Sequence, residues 1–156
     1  MIPSTREVTS PEDYLLIREL FEEYQAEIGI DLCFQGFDQE LDSLPHVYAP
    51  PKGILLLGSI NRLPVGCVGL KPLEKGVVEL KRLYVRPSHR GHNVGPSLVR
   101  RALREAQKAR HHVVKLDTLA SMKQALRLYE AMGFQQVAPY YDNPHADAIF
   151  MEKRIG

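Results

Sequence analysis

The sequence predicts a mixed α/β fold in which helices cover both faces of one sheet. Three observations carry this. Apolar residues recur at helical spacing near the amino end, switch to strand-like runs through the middle, and return to helix–strand alternation in the last third. Strand Val77–Val85, helix Gly95–Arg110 and strand Val113–Leu116 follow one another as a βαβ unit, which crosses over right-handedly and pairs in parallel. Hairpin signals stand ahead of that unit, so the sheet must also contain antiparallel pairs.

The elements can be justified in order. Ser10 caps a first helix, Pro11 suits its first turn, and Glu12 and Asp13 favour the positive end of its dipole. Ile17, Leu20, Phe21, Tyr24 and Ile28 form its apolar face, and Gly29 ends it. A weaker helix over Asp38–Leu44 stops before Pro45. Ile54–Ile60, Leu63–Leu70 and Val77–Val85 read as strands, joined at Asn61-Arg62 and at Leu73–Gly76. Val94, Leu98, Val99, Ala102, Leu103 and Ala106 make the stripe of a long helix. Val113–Leu116 is a short buried strand. Ser121 and Gln124 form a capping box for a helix carrying Met122, Ala125, Leu126, Tyr129 and Met132, with Gly133 as its left-handed stop. Phe134–Val137 and Ala148–Lys153 are the last strands.

Composition narrows the function. The 156 residues suit one domain over 1–156, with 44% hydrophobic and 25% charged residues. The formal net charge of +1 predicts neither a nucleic-acid nor a membrane partner. The charge is unevenly placed: residues 1–50 carry eleven Asp/Glu and two Lys/Arg, whereas 81–110 carry nine Lys/Arg and one Glu. Two such regions suit different ligands. Cys33 and Cys67 build no disulfide framework, and the first ten residues hold no signal-peptide core, so a reducing cytoplasmic setting is expected. His111-His112 has no ligand-spaced partner, so no metal site is expected and the pair reads as a helix-end cap.

The stretch Leu83–Pro96 is the most informative. A strand ends, a glycine-bearing turn follows, and a helix opens at Gly95-Pro96. Free N–H groups and the positive dipole end at such a start suit a phosphate or pyrophosphate. Arg86, His89, Arg90 and His92 surround it with positive or potentially positive charge.

This turn, Arg90-x-x-Asn93-x-Gly95, resembles the acetyl-CoA signature Gln/Arg-x-x-Gly-x-Gly/Ala of the GNAT N-acetyltransferase superfamily. Asn93 replaces the first motif glycine, and Asn is the non-glycine residue that best tolerates a left-handed backbone. Ala125–Phe134 is similar to the family's second signature, a helix with an LYE-x-x-GF ending, and Glu79–Val85 is similar to its acetyl-CoA-bearing strand. The resemblance covers roughly residues 50–153 in the family's order.

The resemblance implies a single sheet of about six to seven strands, mostly antiparallel with a central parallel βαβ unit. It implies acetyl-CoA as acyl donor, held by Arg90, Gly91, His92, Asn93, Val94, Gly95 and Pro96, with the pantetheine between splayed strands beside Leu83, Tyr84 and Val85. Transfer would pass directly to a bound amine, with a backbone N–H of Leu83–Val85 facing the developing oxyanion. Tyr129 matches the family's general-acid tyrosine, the alternative being a core residue on its apolar stripe. Glu79 is the candidate base, the alternative being a solvated residue paired with Lys81 or Lys75. The basic face Arg100, Arg101, Arg104, Lys108 and Arg110 is a solvated surface, part of which can reach a 3′-phosphate.

The acceptor is a small-molecule or peptide amine. Glu22, Glu23, Glu27, Asp31, Asp38, Glu40 and Asp42, with Phe34, Phe37 and Tyr48, would make an acidic and aromatic lip for a small cationic amine. The alternative is the wet face of two surface helices. Loop Tyr140–Pro144 would form the opposite wall, with Phe34 and Tyr141 as candidate acceptor contacts. Dimerisation is common in the family, which admits a homodimer. The rival functions are a non-catalytic acyl-CoA sensor, favoured by Asn93, and a nucleic-acid module using the basic helix, which the acidic third opposes.

Overall fold

The computed structural model describes residues 2–156. Its elements are β1 (Pro3–Glu7), α1 (Pro11–Ile28), α2 (Phe37–Asp42), α3 (Leu44–Val47), β2 (Ile54–Ile60), β3 (Leu63–Glu74), β4 (Val77–Val85), α4 (Val94–Lys108), β5 (Val113–Leu119), α5 (Lys123–Ala131), β6 (Gln135–Val137) and β7 (Ala148–Arg154). The seven strands form one sheet in the order β1-β2-β3-β4-β5-β7-β6. Only β4 and β5 pair in parallel; every other neighbouring pair is antiparallel. The expected mixed sheet with its central parallel unit is the observed one.

Caps behave as the sequence predicts at α1. Ser10 Oγ accepts the Asp13 N–H at 3.1 Å, and Gly29 closes the helix at φ +72°. Elsewhere three details differ. Pro45 does not end a helix but sits in the first turn of α3, where its missing N–H costs nothing. Helix α5 starts at Lys123 with Met122 as its cap, so Ser121 forms no capping box. The strand β1 has no apolar run to announce it: a polar edge strand, it pairs with β2 alone.

Each face of the sheet has its own core. One packs α4 and α5 through Val94, Leu98, Val99, Ala102 and Tyr129 onto Leu56, Val78, Leu80, Val114 and Leu116. The other packs α1, α2 and α3 through Ile17, Leu20, Phe21, Phe37 and Leu44 onto Leu55, Leu57 and Cys67. Helix α4 approaches the sheet closely at its amino end. A Cβ on Gly58 would lie 2.8 Å from Val94 Cγ1, so the absence of a side chain there lets the helix start sit against β2.

His111 also differs from the expectation. Its main-chain N–H closes the end of α4 on the Ala106 carbonyl, but its imidazole is buried, with Nε2 2.8 Å from the Lys52 carbonyl oxygen. It is a core side chain, not a surface cap.

Candidate functional site

Strands β4 and β5 pair only at Val77↔Val113, Val78↔Val114 and Glu79↔Lys115. Beyond that point each keeps its outer neighbour: β4 stays with β3 as far as Val85, and β5 with β7 as far as Leu119. The two therefore diverge into a fork whose inner edges lack a strand partner. A bulge reshapes β4 beside the fork. Between the pairs Gly69↔Lys81 and Cys67↔Tyr84, Arg82 and Leu83 oppose Val68 alone, and Arg82 takes φ +62°. The bulge keeps Glu79, Lys81, Arg82 and Tyr84 away from α4, while Leu80, Leu83 and Val85 pack on the α4–α5 core.

A cleft of about 650 Å³ opens from the fork, within the range of small-molecule and cofactor sites. Leu83, Tyr84 and Val85 form one wall; Arg90, Gly91, Asn93, Val94, Gly95 and Pro96 form its end; Leu119, Met122, Ala125 and Leu128 lie opposite. All the residues expected at the cofactor line it except His92. Ser121 and Gln124, expected to cap a helix, line it too.

The end wall is a helix start of the expected type. Asn93 is left-handed (φ +67°), and α4 begins one residue earlier than predicted, at Val94. The Ser97 N–H donates the first helical bond, to the Asn93 carbonyl at 3.1 Å, so the Val94 and Gly95 N–H groups have no helix partner and Pro96 has none to offer. The cleft's volume, its apolar walls and this polar end suit a pantetheine carrying a pyrophosphate.

The acidic and basic regions neutralise each other beside this cleft. Arg86 pairs with Glu23 (2.9 Å), Arg90 with Glu27, and Arg82 with Glu40 (2.8 Å). Arg90 also donates Nε–H to the Val85 carbonyl at 2.9 Å, which fixes the turn on the strand end. Glu23, Glu27 and Glu40 therefore do not form an open acidic lip. The Arg86 bonds to Glu23 outweigh burial and hold that carboxyl below the usual range.

The α1–α2 side of the fork holds a buried polar network. Arg82 donates to both Glu40 oxygens and to Gln35 Oε1 (2.8 Å), and the Tyr48 hydroxyl donates to Glu40 Oε2 at 2.8 Å. Burial pushes the Glu40 carboxyl up, but the Arg82 bonds and charge win and hold it below its ordinary value. Lys81 lies 3.6 Å from Glu79; burial and then the Arg82 cation push its pKa down. On β5, Asp117 accepts from Tyr141, Gln35 and Asn143. A second cavity, of about 30 Å³, lies here, lined by Phe34, Gln35, Lys81, Arg82, Asp117 and Asn143 among others.

The proposed acid and base are both buried. Tyr129 is 6% exposed and packs edge-on to Phe134 at 5.7 Å; burial pushes its pKa up and keeps the hydroxyl protonated. Its helix neighbours Ala125 and Leu128 line the large cleft, and it does not. Glu79 is not a solvated strand residue. It is 3% exposed and accepts the Tyr140 hydroxyl at 2.6 Å, outside the lining of both cavities. Of the acceptor candidates, Phe34 lines the small cavity, while the Tyr141 hydroxyl is engaged by Asp117 and Gln35. Sequence reasoning missed Gln35 and Asp117, and named Asn143 only as part of the loop Tyr140–Pro144. Charges at alternate positions of two otherwise apolar strands (Glu79 and Lys81, Lys115 and Asp117) were the available signal.

Among the described residues no group of three or more His, Cys, Asp or Glu is placed to hold a metal, and no helix is long and apolar enough to cross a membrane.

Comparison with known proteins agrees with this architecture. An uncharacterized N-acetyltransferase of Schizosaccharomyces pombe is 38% identical over 146 residues, covering 92% of this chain and 90% of the relative. An acetyltransferase of the GNAT family from Staphylococcus aureus superimposes with a TM-score of 0.81 at 20% identity, over 99% of each chain. A putative acetyltransferase of Salmonella typhimurium, solved with its cofactor acetyl-CoA, superimposes at 0.75 with 18% identity, over 100% of this chain and 95% of that one. Residues 15–134 match the family described as acetyltransferase (GNAT), which is well over half of the chain. The chain therefore belongs to the acetyltransferase (GNAT) family and is an enzyme of acyl transfer.

Proposed function

We propose that this chain moves an acetyl group from acetyl-CoA directly to the nitrogen of a small cationic amine, free or on a peptide, in the cytoplasm. The observation that carries the reading is the fork: parallel strands that part after Glu79 and Lys115 and open into a cleft ended by the Asn93–Pro96 helix start. Leu83, Tyr84 and Val85 present the unpaired edge of β4 to the donor's pantetheine, and one of their N–H groups faces the carbonyl oxygen as charge develops on it. Val94 and Gly95 offer N–H groups to the pyrophosphate, with Arg90 holding the turn in place.

In the transfer, the amine nitrogen forms a bond to the acetyl carbon, the carbon–sulfur bond breaks, and the electron pair leaves on sulfur. The acceptor enters as an ammonium, so its nitrogen loses two protons, one before attack and one after; the thiolate gains one and the other leaves to solvent. Tyr129, kept protonated by burial and set behind the lining of the cleft, supplies the thiolate's proton through water and is reprotonated from solvent. Glu79 draws off the first of the nitrogen's protons through water, since it does not itself line either cavity.

Thermal unfolding with acetyl-CoA, CoA or an unrelated nucleotide tests the donor half. A stabilisation specific to the CoA species, about 2.7 kcal/mol at a hundred times the dissociation constant, is expected. No shift at saturating concentrations would remove the reading's foundation. Kinetics of Tyr129→Phe and Glu79→Gln test the proton transfers. Turnover should fall by about a hundredfold for the former, and the alkaline-rising limb of the pH–rate profile should move for the latter.

A further inference from the structure

Lys81 and Arg82, the two cations that line the small cavity, each have a carboxylate partner outside its lining. Arg82 is matched by Glu40, with Nη2 and Nε 2.8 and 3.1 Å from the two carboxylate oxygens. Lys81 is matched by Glu79 at 3.6 Å. Lys115, on the same face of β5, places its ammonium 5.2 Å from the Tyr140 ring centre and does not line the cavity. Asp117 alone is held by neutral donors: the Tyr141 hydroxyl at 2.5 Å, Gln35 Nε2 at 3.3 Å and Asn143 Nδ2 at 3.4 Å. All three converge on Oδ2, and Oδ1 accepts none of them. This carboxylate is fixed in position, oriented by elements as distant in sequence as Gln35 and Asn143, and makes no ion pair among the described residues, although its charge acts on Lys81 across the cavity.

Its place in the fold gives that charge a use. Asp117 lies two residues beyond Lys115, the last residue of β5 to pair with β4, and so stands at the opening of the fork. The cavity it lines shares Tyr24, Ile28, Leu119 and Met122 with the large cleft, so the two spaces adjoin. The remaining wall is apolar, with Ile30, Leu32, Phe34 and Leu80. A space of about 30 Å³ is close to the liquid volume of one water molecule, which is also the size of an ammonium head.

We infer that Asp117 anchors the ammonium group of the acceptor, and that the acceptor is a primary amine on a slender, unbranched methylene end. This rests on the acetyl-transfer reading and places its cation recognition at the fork, in place of the surface carboxylates of α1 and α2. Apolar walls take the methylenes, and Oδ1 receives the N–H groups of the head. A carbon branched next to nitrogen crowds this small space, which is the basis of the preference for unbranched amines. Tyr141 and Asn143 are positioning residues that hold the carboxylate.

The test uses the full chain, near neutral pH, and follows release of the CoA thiol from acetyl-CoA. The probes are n-butylamine, 1,4-diaminobutane, tert-butylamine (equally cationic but branched) and aniline (uncharged). Wild type should prefer the two unbranched ammonium ions over both others by at least about tenfold in kcat/KM. Asp117→Asn keeps an acceptor oxygen for Tyr141 and removes the charge. It should raise KM for n-butylamine by about tenfold or more, leave aniline within about twofold, and leave the acetyl-CoA-induced unfolding shift unchanged. Tyr141→Phe should raise KM for the unbranched amines alone and by less, and it serves if Asp117→Asn fails to fold.

Equal losses for charged and uncharged amines, no loss at all, or tert-butylamine used as well as n-butylamine would each overturn the inference. A wild type stabilised by acetyl-CoA that acetylates none of the probes overturns it while leaving the donor site standing. A wild type that acetyl-CoA does not stabilise overturns the acetyl-transfer reading, and this inference with it.

Discussion

On the α4–α5 side of β4, Val78 and Leu80 meet Leu98, Val99 and Ala102, and the interface is apolar throughout. On the α1–α2 side the same strand presents Glu79, Lys81 and Arg82, buried to a similar extent but tied to Glu40, Gln35, Tyr48 and Tyr140. Solvent exclusion is alike on the two sides; the means of satisfying the strand are not. Apolar packing is non-directional and tolerates repacking, whereas a buried charge network is worth having only when every member is partnered. The apolar side fixes where α4 starts, and so where the donor's phosphates can sit. The polar side fixes the charges beside the fork.

The largest effect should come from breaking the polar side. Arg82→Leu leaves Glu40 buried without its cation, which should cost about 3–5 kcal/mol in chemical unfolding. The double variant Glu40→Leu/Arg82→Leu should recover most of that, less about 1 kcal/mol for the Tyr48 hydroxyl it strands. If the double variant is no better than the single, the pair is not acting as a unit. Leu98→Ala on the apolar side should cost about 2–5 kcal/mol through the cavity it leaves. The two lesions differ in their pH dependence. Glu40 is held below its ordinary value, so its contribution is complete above the unfolded pKa and is lost as pH falls through the folded one. Leu98→Ala should keep the wild-type acid profile merely displaced downwards, and the double variant should flatten it. Stability curves from pH 7 to 3 decide this.

A smaller effect is expected where a charge is only half-buried. Asp13 is held at about 2 by hydrogen bonds from Arg6 at 2.6 and 2.8 Å, which tie β1 to the start of α1. Arg6 is half exposed, so solvent screens the pair and Asp13→Asn should cost about 1 kcal/mol. Because the folded pKa lies below the ordinary 3.8, that stability is present above pH 4 and disappears on the way to pH 2. A loss at neutral pH as large as that of Arg82→Leu would erase the distinction between a buried network and a screened pair.

The two sides also differed in how far the sequence revealed them. Helix α4, its apolar stripe and the left-handed Asn93 were legible, because a 3.6 period and a special backbone position leave local marks. The polar side left only scattered charges. Glu40 and Arg82 are 42 residues apart, and Gln35 and Asp117 are 82 apart, so no local pattern joins them. Seven carboxylates looked like a lip for a cation, yet four of them have arginine partners, which only the packing of α1 and α2 on each other and on β4 could decide. Asp117 was hidden for a further reason: β5 was read as a short buried strand over Val113–Leu116. The strand continues through Leu119 by pairing with β7, which carries Asp117 to the fork. Polar β1 was missed for the same kind of reason, since its pairing with β2 and the Arg6–Asp13 bonds, not its own composition, hold it.

The smallest effect, that of Asn93→Gly, separates motif from conformation. The residue takes φ +67° and ψ 17°, and its side chain makes no capping bond to the helix it precedes. What the turn needs at this position is therefore a left-handed backbone, not an amide. Asn93→Gly meets that need without a Cβ, and its gain in unfolded-state entropy offsets it, so stability should stay within about 0.5 kcal/mol of wild type. Asn93→Ala, with a Cβ and no local hydrogen-bonding group, should cost about 1–2 kcal/mol. Acetyl-CoA affinity, read from the unfolding shift, should follow the same order: glycine equal to or tighter than asparagine, and alanine weaker. If alanine bound as well as glycine, the left-handed turn would not be what presents the Val94 and Gly95 N–H groups. If glycine bound far more weakly than asparagine, the carboxamide itself would be a ligand for the phosphates.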